Sequence, residues 1–474
     1  MACGSLIAAR NNTEAKPMDL VISNGTIVTS GDTYHADIGI EGGKIKQIGH
    51  GLGPATKTID ASGLFLLPGA VDVHTHVECE FQGMHTAEDF NTGTATAAAG
   101  GVTTIIDYAL PGPGETPRQT IEKWHKMAKD KAIIDYGFHV AIFEPNDAAI
   151  QEIRDTISEG HTSFKIFMMG TFEHHIDGYM EMMAEVGRAG GMVNLHVEDA
   201  CCLNYLAKRF NSEGKYGAKY FADSRPQISE GIAAMRGIGL AQVAEVPSYL
   251  VHLSCEESLE AVNRARGKGD MVFGETRPCY LHLSREKLDG PDGHLYTGWP
   301  PLRESEQMDI LWQALDSGVL QTIATDHDGW AAIQKKNSDK VDEMLAGMAG
   351  LETMVPMLYS QGVLKNKLNL NRMVEVTATN PAKLFGLYPR KGTITVGSDA
   401  DIVVFDPNYK KIIRAEDMHT AADWDPYEGW EVTGWPRMTL SRGEVVFENG
   451  KIIGEAGRGQ LLKRDKFSET VARL

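Results

Sequence analysis

His74 and His76 lie at the end of a short apolar stretch that follows the Pro68-Gly69 pair. Side chains two residues apart in a strand project from the same face, so we expect both imidazoles to reach one point. Neutral imidazole nitrogens are good ligands for borderline divalent metals. An isolated His-x-His pair is weak evidence, because most such histidines belong to a core or a surface. A metal site therefore requires further ligands elsewhere in the chain.

Four more candidate ligands occur at or near the ends of apolar, strand-like segments downstream: Lys165, His196, His252 and Asp326. A (β/α)₈ barrel of typical size uses about 31 residues for each βα unit. Lys165 comes about three such units after the strand of Asp72, and His196 comes about one unit later. His252 and Asp326 follow after longer units. The spacing thus predicts that all the candidates meet at the carboxyl ends of barrel strands, where the active sites of such barrels lie.

Lys165 is unusual in this set, because an ammonium group repels a metal ion. Burial at the end of an apolar strand lowers the pKa of a lysine, since desolvation disfavours its charged form. The neutral amine can combine with carbon dioxide to form an anionic, bidentate carbamate. Such a group can bridge two metal ions about 3.5–4 Å apart. We therefore predict two divalent metal ions per chain, with zinc the expected metal and Lys165 N6-carboxylated.

The ligands divide between the two metal ions. We assign His74 and His76 to one ion, His196 and His252 to the other, and the carbamate to both. Two cations lower the pKa of a bridging water, so that hydroxide is available near neutral pH. Asp326 is predicted to contact the first ion and to act as the catalytic base. It would take the water's proton and pass it to the leaving nitrogen.

Several other polar residues are given lesser roles or none at the metal centre. Asp107 and Glu198 are expected to be supporting or structural groups, and His327 is a plausible partner of its neighbour Asp326. His139 and the pair His174-His175 lack support from the strand spacing. We therefore place them outside the metal site.

The segments that must position these residues predict an α/β fold. Residues 18–70 and 386–474 are rich in short β-type segments, with Asn24-Gly25, Gly42-Gly43 and Asn449-Gly450 as turns. Residues 71–385 alternate apolar strands with amphipathic helices, for example near 116–131 and 147–159. We predict a (β/α)₈ TIM-like barrel at 71–385 and a small β-sandwich domain built from both termini. Residues 1–17 are expected to form a disordered extension.

The overall composition restricts the partners of the protein. Lys and Arg number 46 against 64 Asp and Glu, a formal net charge of -18, which argues against nucleic acid or an anionic membrane surface as a partner. No stretch is apolar for the roughly 18 residues that span a bilayer. The six cysteines are scattered, as expected for reduced thiols, so we expect a cytoplasmic protein.

Several segments resemble the dihydropyrimidinase and D-hydantoinase branch of the amidohydrolases. The resemblance runs from about residue 18 to residue 460. It implies a carboxylated Lys165, a binuclear zinc-type centre, the opening of a small cyclic amide such as a dihydropyrimidine or hydantoin, and a homotetramer. The matching segments are Gly69-Ala-Val-Asp-Val-His-Thr-His76, Ala99-Gly-Gly-Val-Thr-Thr-Ile-Ile-Asp107, Ile134-Asp-Tyr-Gly-Phe-His139, Ser163-Phe-Lys-Ile-Phe-Met168, Pro300-Pro-Leu-Arg303, Asn380-Pro-Ala-Lys-Leu-Phe-Gly386 and Gly397-Ser-Asp-Ala-Asp-Ile402.

The chain departs from the family pattern where substrate is recognised. The family's Ala-Tyr-Lys, whose tyrosine hydroxyl supports the oxyanion, is replaced around Gly170 and Thr171. Trp299 stands at the serine of the family's Ser-Pro-Pro-Leu-Arg, and Ala346 lies in the segment that replaces Pro-Asn-Gly-Gly. We expect these four residues to contact substrate. A missing oxyanion donor costs about 10²–10³ in rate for the usual substrate.

The resemblance and its departures leave three functions to compare. The first is metal-dependent opening of a cyclic amide, imide or ureide by a metal-bridging hydroxide. The second is the same machinery acting on a different amide or carbamate C–N bond. The third is a non-catalytic, dihydropyrimidinase-related scaffold, a kind of protein that has lost metal ligands. The presence of all six candidate ligands argues against the scaffold.

Replacement of Lys165 separates this mechanism from a metal site made only of histidines. We expect Lys165→Ala to fold but to bind metal poorly and to be inactive, because two dications lose the anion between them. A short carboxylic acid added to the variant should partly restore activity by occupying the bridge, whereas the wild type should gain little. Equal stimulation of both proteins in a side-by-side assay would contradict the prediction.

Overall fold

The computed structural model of the chain describes residues 17–170 and 172–470. The strands are β1 (Met18–Val28), β2 (Thr33–Glu41), β3 (Lys44–Gly49), β4 (Ala55–Asp60), β5 (Phe65–Pro68), β6 (Ala70–Thr75), β7 (Glu80–Phe81), β8 (Met84–His85), β9 (Val102–Ala109), β10 (Asp135–Ala141), β11 (Ser163–Phe167), β12 (Met192–His196), β13 (Ser248–Leu250), β14 (Val272–Thr276), β15 (Thr322–Ile323), β16 (Ile402–Ile412), β17 (Glu431–Ser441), β18 (Glu444–Glu448) and β19 (Lys451–Ile452).

The α-helices are α1 (Phe90–Ala99), α2 (Pro117–Ala128), α3 (Asp147–Ser158), α4 (Ile176–Ala189), α5 (Ala200–Ser212), α6 (Gln227–Val243), α7 (Glu256–Arg266), α8 (Pro278–His282), α9 (Ser305–Ser317), α10 (Ala332–Lys335), α11 (Met354–Met357), α12 (Leu370–Val374) and α13 (Asn380–Leu384). Among the residues described, no helix is both long enough and apolar enough to cross a bilayer.

Eight parallel strands form the sheet of the barrel, in the order β6-β9-β10-β11-β12-β13-β14-β15. The ring closes where Thr75 of β6 pairs in parallel with His327, just beyond β15. At this closure the His76 N–H donates to the His327 carbonyl at 2.9 Å. Helices connect successive strands, as parallel pairing requires. The predicted (β/α)₈ barrel is therefore confirmed.

The helices begin where the sequence supplies caps. Thr116 accepts a hydrogen bond from the Gln119 N–H at the start of α2, and Asn146 accepts one from the Ala149 N–H at the start of α3. These caps satisfy N–H groups that have no partner inside the helix. The predicted helices near 116–131 and 147–159 are α2 and α3.

Strands from both termini form one nine-stranded mixed sheet, in which β5 pairs antiparallel with β16. Leu66, Ile402 and Leu440 are fully buried in the core of this sheet. The mixed sheet fits the expected small β domain that both termini build. The predicted turns at Gly42-Gly43 and Asn449-Gly450 join β2 to β3 and β18 to β19.

The predicted turn at Asn24-Gly25 is wrong, because β1 continues through these residues. The pairing with β2 shifts register between Ile22 and Gly25, and Asn24 has φ +62°. An added Cβ at Gly25 would lie 2.5 Å from the Leu66 side chain. The Asn-Gly pair therefore forms a bulge that lets two strands approach closely, instead of a hairpin turn.

A buried ion cluster joins the barrel to the terminal sheet. Lys391 Nζ lies 2.7 Å from Asp135 Oδ2, 2.6 Å from Asp401 Oδ2 and 3.1 Å from Asp399 Oδ2, and its side chain is fully buried. Asp135 begins β10, and Asp401 directly precedes β16. Burial opposes the charge of Lys391, but the carboxylates outweigh it and raise its pKa.

Removal of this lysine should weaken the junction strongly. Lys391→Met leaves the buried Asp401 without a counter-charge, so we expect the free energy of unfolding to fall by about 3–5 kcal/mol. Lys44→Met is the matched control, since Lys44 pairs with Asp399 but is 46% exposed. That change should cost no more than about 1 kcal/mol. Denaturant unfolding of both variants measures the difference, and equal losses would contradict a structural role specific to Lys391.

Candidate metal centre

The six side chains that the sequence suggests as ligands all line one cavity. This cavity opens to solvent at the carboxyl ends of the barrel strands, where the active sites of such barrels lie. The six are His74, His76, Lys165, His196, His252 and Asp326.

Two of these residues have strained backbone conformations. His252 follows β13 with φ +43°, and Asp326 follows β15 with φ +48°. Residues other than glycine occupy this left-handed region at a cost of about 1–3 kcal/mol, and such residues cluster at functional sites. The fold therefore maintains unfavourable backbone geometry at two strand ends that carry candidate ligands.

The first group of ligands contains His74, His76 and Asp326. The Oδ1 atom of Asp326 lies 2.9 Å from His74 Nε2 and 3.2 Å from His76 Nε2. On the far side of its ring, His74 Nδ1 lies 2.7 Å from Glu275 Oε1, which also accepts the His252 N–H. Because a carboxylate only accepts, Glu275 holds a proton on His74 Nδ1, and Nε2 is left to face Asp326 with either a second proton or a lone pair for a cation.

This arrangement is suited to a cation. His74 Nε2 is buried and makes no hydrogen bond within residues 17–170 and 172–470, although Asp326 Oδ1 is 2.9 Å away. Atoms this close need positive charge between them, which a proton on Nε2 or a metal ion would supply. Burial lowers the pKa of His74, but Asp326 and Glu275 outweigh burial and raise that pKa overall. The two carboxylates therefore stabilise positive charge at this position. The residues present therefore fit a metal ion.

The second group contains His196 and His252. His196 Nδ1 lies 2.9 Å from His252 Nε2, and His196 Nε2 donates to Glu198 Oε2 at 2.8 Å. Glu198 is held in turn by Arg225, whose Nη1 donates to the same oxygen at 2.7 Å. Burial lowers the pKa of both histidines, so both are neutral. The bond to Glu198 leaves the lone pair of His196 on Nδ1, towards His252.

Lys165 lies beside both groups with a nearly fully buried side chain. Its Nζ atom is 4.4 Å from the centre of the Tyr108 ring and 5.0 Å from that of Phe167. Burial lowers the pKa of Lys165 to about 7, although Asp326 and Glu275 oppose the shift. A large share of the amine is therefore neutral near pH 7 and able to act as a nucleophile.

Arg277 fixes the carboxylate of Asp326. Its Nη1 atom lies 3.0 Å from Asp326 Oδ2, while Nε and Nη2 donate to the carbonyls of Thr325 and Asp326 at 3.2 Å. Burial would raise the pKa of Asp326, but Arg277 and His74 lower it well below the usual range. The carboxylate is therefore ionised, with one oxygen on Arg277 and the other directed at the histidines.

The four residues expected to contact substrate are placed differently from one another. Trp299 and Ala346 line the cavity, together with an aromatic wall that includes Phe81 and Trp330. Gly170 is exposed and does not line the cavity. Thr171 lies outside the described residues.

Glu275 and Arg277 belong to the site, although no motif in the sequence singles them out. They lie at and just after the end of β14, one strand after His252. The sequence signal that could have identified them is the polar residue Glu275 near the end of β14, the apolar strand that follows β13. Asp328 also lines the cavity, where burial raises its pKa to about 6.

The residues given lesser roles make structural contacts. Asp107 accepts from the Thr75 hydroxyl at 2.6 Å, and His327 Nε2 lies 2.5 Å from Glu88 Oε2. His139 bonds to Ser163 Oγ and to the Val73 carbonyl and does not line the cavity.

Comparisons with known proteins agree with this geometry. The model of the Amidohydrolase family matches residues 65–446, and that of the urease alpha-subunit N-terminal domain matches residues 4–68. A D-hydantoinase from Ralstonia pickettii is 42% identical over 95% of this chain and 100% of its own length. A D-hydantoinase from Geobacillus stearothermophilus is 41% identical over 96% of this chain and 98% of its own. The crystal structure of a dihydropyrimidinase from Brevibacillus agri has a TM-score of 0.92 at 41% identity, covering 95% and 99% of the two chains.

A barrel with metal-type ligands at the carboxyl ends of its strands defines a class of metal-dependent enzymes. Within that class, the chain belongs to the amidohydrolase family, in its D-hydantoinase and dihydropyrimidinase branch. Membership of this family implies a binuclear metal centre.

Glu275 should control metal affinity through His74. In Glu275→Gln the His74 Nδ1–H loses its anionic partner, so we expect metal affinity to fall about 10–100-fold. Glu352→Gln is the matched control, because Glu352 is also buried and pairs with a histidine, His419 at 3.1 Å, outside the cavity. Titration with a competing chelator measures both variants. Unchanged affinity in Glu275→Gln would exclude this role.

Proposed function

We propose that the protein is a metal-dependent cyclic amidohydrolase that opens the ring of a dihydropyrimidine, a hydantoin or a related cyclic imide or ureide. The observation that carries the proposal is the convergence of six metal-type ligands on one cavity, in a chain 42% identical to a D-hydantoinase. The presence of all six candidate ligands in this cavity also argues against a non-catalytic scaffold, a kind of protein that has lost metal ligands.

We propose two zinc ions, one at His74, His76 and Asp326 and one at His196 and His252, with a carboxylated Lys165 contacting both. Imidazole and carboxylate ligands suit zinc. When bound, the ions would acidify a water molecule and polarise a carbonyl group. The lowered pKa of Lys165 supports the carbamate, because only a neutral amine combines with carbon dioxide.

Asp326 is the proposed proton carrier. Its carboxylate accepts a proton from the attacking water and delivers it to the nitrogen that leaves the carbonyl carbon. Arg277 holds one carboxylate oxygen at 3.0 Å, so the other oxygen keeps its direction towards the cavity. Glu275 and Glu198 keep His74 and His196 in single tautomers.

The walls of the cavity bear on the choice of substrate. Trp299 occupies the position of a family serine, and the Arg225 guanidinium lies 4.8 Å from its ring centre. We propose that Trp299 and Ala346 contact substrate. The bulky Trp299 also favours a second candidate, the same machinery on a different amide or carbamate C–N bond.

We propose a homotetramer in the cytoplasm. Helix α6 supports association, because Ile228, Met235 and Val243 lie along one face and are 57%, 57% and 77% exposed. The five cysteines in the described residues are unpaired, in keeping with a reducing compartment. We also propose the division into a barrel at 71–385 and a β domain at 18–70 and 386–474.

Turnover of a substrate panel tests the proposed function. The metal-loaded protein should open at least one ring among dihydrouracil, hydantoin, a cyclic imide and a lactam, assayed side by side with open-chain amides and carbamates. Hydrolysis of only the open-chain compounds would establish the second candidate. No turnover of any compound by protein shown to hold two metal ions would reject both.

Asp326→Asn should separate metal binding from catalysis. The amide cannot accept the proton of the water, so we expect turnover to fall at least about 10²-fold while at least one metal ion stays bound. Metal analysis and activity are measured on the same preparation. Near-normal turnover would mean that Asp326 is a ligand only.

A further inference from the structure

Lys335 is a buried lysine that lies outside the metal centre. Its side chain is fully buried at the end of α10, and Nζ donates to the carbonyls of Thr297, Leu345 and Gly347 at 2.9, 2.8 and 2.8 Å. A neutral amine has two N–H donors, whereas an ammonium has three. An ammonium form would satisfy all three acceptors, although burial lowers the pKa of Lys335 well below its usual value. No carboxylate of the described residues lies within ion-pair distance of Nζ.

The three carbonyls belong to two segments that border the cavity. Thr297 precedes Trp299 by two residues, and Leu345–Gly347 contains Ala346; both Trp299 and Ala346 line the cavity. The segments are also bonded to each other. The Thr297 hydroxyl donates to the Leu345 carbonyl at 2.8 Å, and the Gly347 N–H donates to the Thr297 carbonyl at 3.0 Å. Lys335 thus lies at the point where two walls of the cavity are joined.

The orientation of one peptide group follows from these bonds. In a trans peptide the carbonyl and the next N–H point in opposite directions. The Leu345 carbonyl points at Lys335 and Thr297, so the Ala346 N–H points away from them. This N–H has no hydrogen-bond partner within the part of the chain that the structure describes. The Ala346 carbonyl is fixed separately, by the Trp330 Nε1–H at 3.0 Å.

We propose that Lys335 is a positioning residue for substrate binding, which holds Leu345–Gly347 so that the unpaired Ala346 N–H is presented to a carbonyl oxygen of the substrate. Lys335 does not touch the reacting atoms and acts only through the segment that it binds. The inference rests on the proposed function, because a ring amide or ureide supplies the carbonyl acceptor. It adds the residue that keeps the donor in place.

Steady-state kinetics of Lys335→Met tests the role in binding. Loss of one aligned hydrogen bond to the substrate should raise KM about tenfold, with kcat changed less than about threefold and the metal content unchanged. Lys336→Met is the matched control, since the neighbouring Lys336 is 47% exposed and pairs with Asp292 at the surface. A wild-type KM in Lys335→Met, measured on the substrate that the wild type turns over fastest, would overturn the proposal.

Hydrogen exchange tests the same role without relying on activity. The Leu345 N–H donates to Asn337 Oδ1 at 3.1 Å and the Gly347 N–H to the Thr297 carbonyl. Both amides should exchange at least about tenfold faster in Lys335→Met than in Lys336→Met, because the segment opens more often. Equal exchange would overturn the proposal, even for a protein that hydrolyses none of the ring compounds.

A milder change covers the case in which Lys335→Met does not fold. Thr297→Val removes the hydroxyl bond to the Leu345 carbonyl and leaves Lys335 in place. We expect KM to rise about threefold and the exchange of the Gly347 amide to accelerate by a similar factor. No change in either quantity would reject the positioning of this segment by its carbonyl bonds.

Discussion

Two buried atoms, His74 Nε2 and Asp326 Oδ1, face each other at 2.9 Å. This contact requires positive charge between the two atoms, supplied by a proton or by a metal ion, and the surrounding residues hold both side chains in place. Glu275 fixes the tautomer of His74, and Arg277 fixes the carboxylate of Asp326. The barrel then brings both residues together, because its closure places the end of β6 beside the end of β15.

Buried carboxylates near the candidate ligands are stabilised in their charged form by arginine partners. Glu198 is fully buried, yet Arg225 and His196 overcome the effect of burial and lower its pKa to about 2. A second fully buried carboxylate, Glu230, is bonded to Arg303 at 2.9 Å. Removing one partner of such a pair leaves a buried charge alone, at a cost of about 3–5 kcal/mol. The Glu198–Arg225 pair therefore restrains the direction of the His196 ring, and single substitutions in either pair are costly.

The sequence predicted the barrel and the convergence of six candidate ligands on one cavity, because both follow from short-range patterns. Apolar strands recur at barrel-like intervals, and the polar residue at each strand end is visible in the chain. Glu275 and Arg277 remained hidden because their roles depend on bonds to His74 and Asp326, which are far away in sequence. The bulge at Asn24-Gly25 was misread as a turn for a related reason. A local Asn-Gly signal was overridden by pairing with β2 and close contact with Leu66. Lys335 offered no signal at all, because its partners are backbone carbonyls of distant residues.

Lys165 is proposed to supply an anionic bridge between two metal ions. The most direct test of this bridge is a crystal structure of the metal-loaded protein, with anomalous scattering collected at the metal absorption edge. We expect two anomalous peaks about 3.5–4 Å apart and continuous electron density for a carboxyl group beyond Lys165 Nζ. Two fully occupied metal positions beside an unmodified Lys165, in crystals of active enzyme, would contradict this bridge.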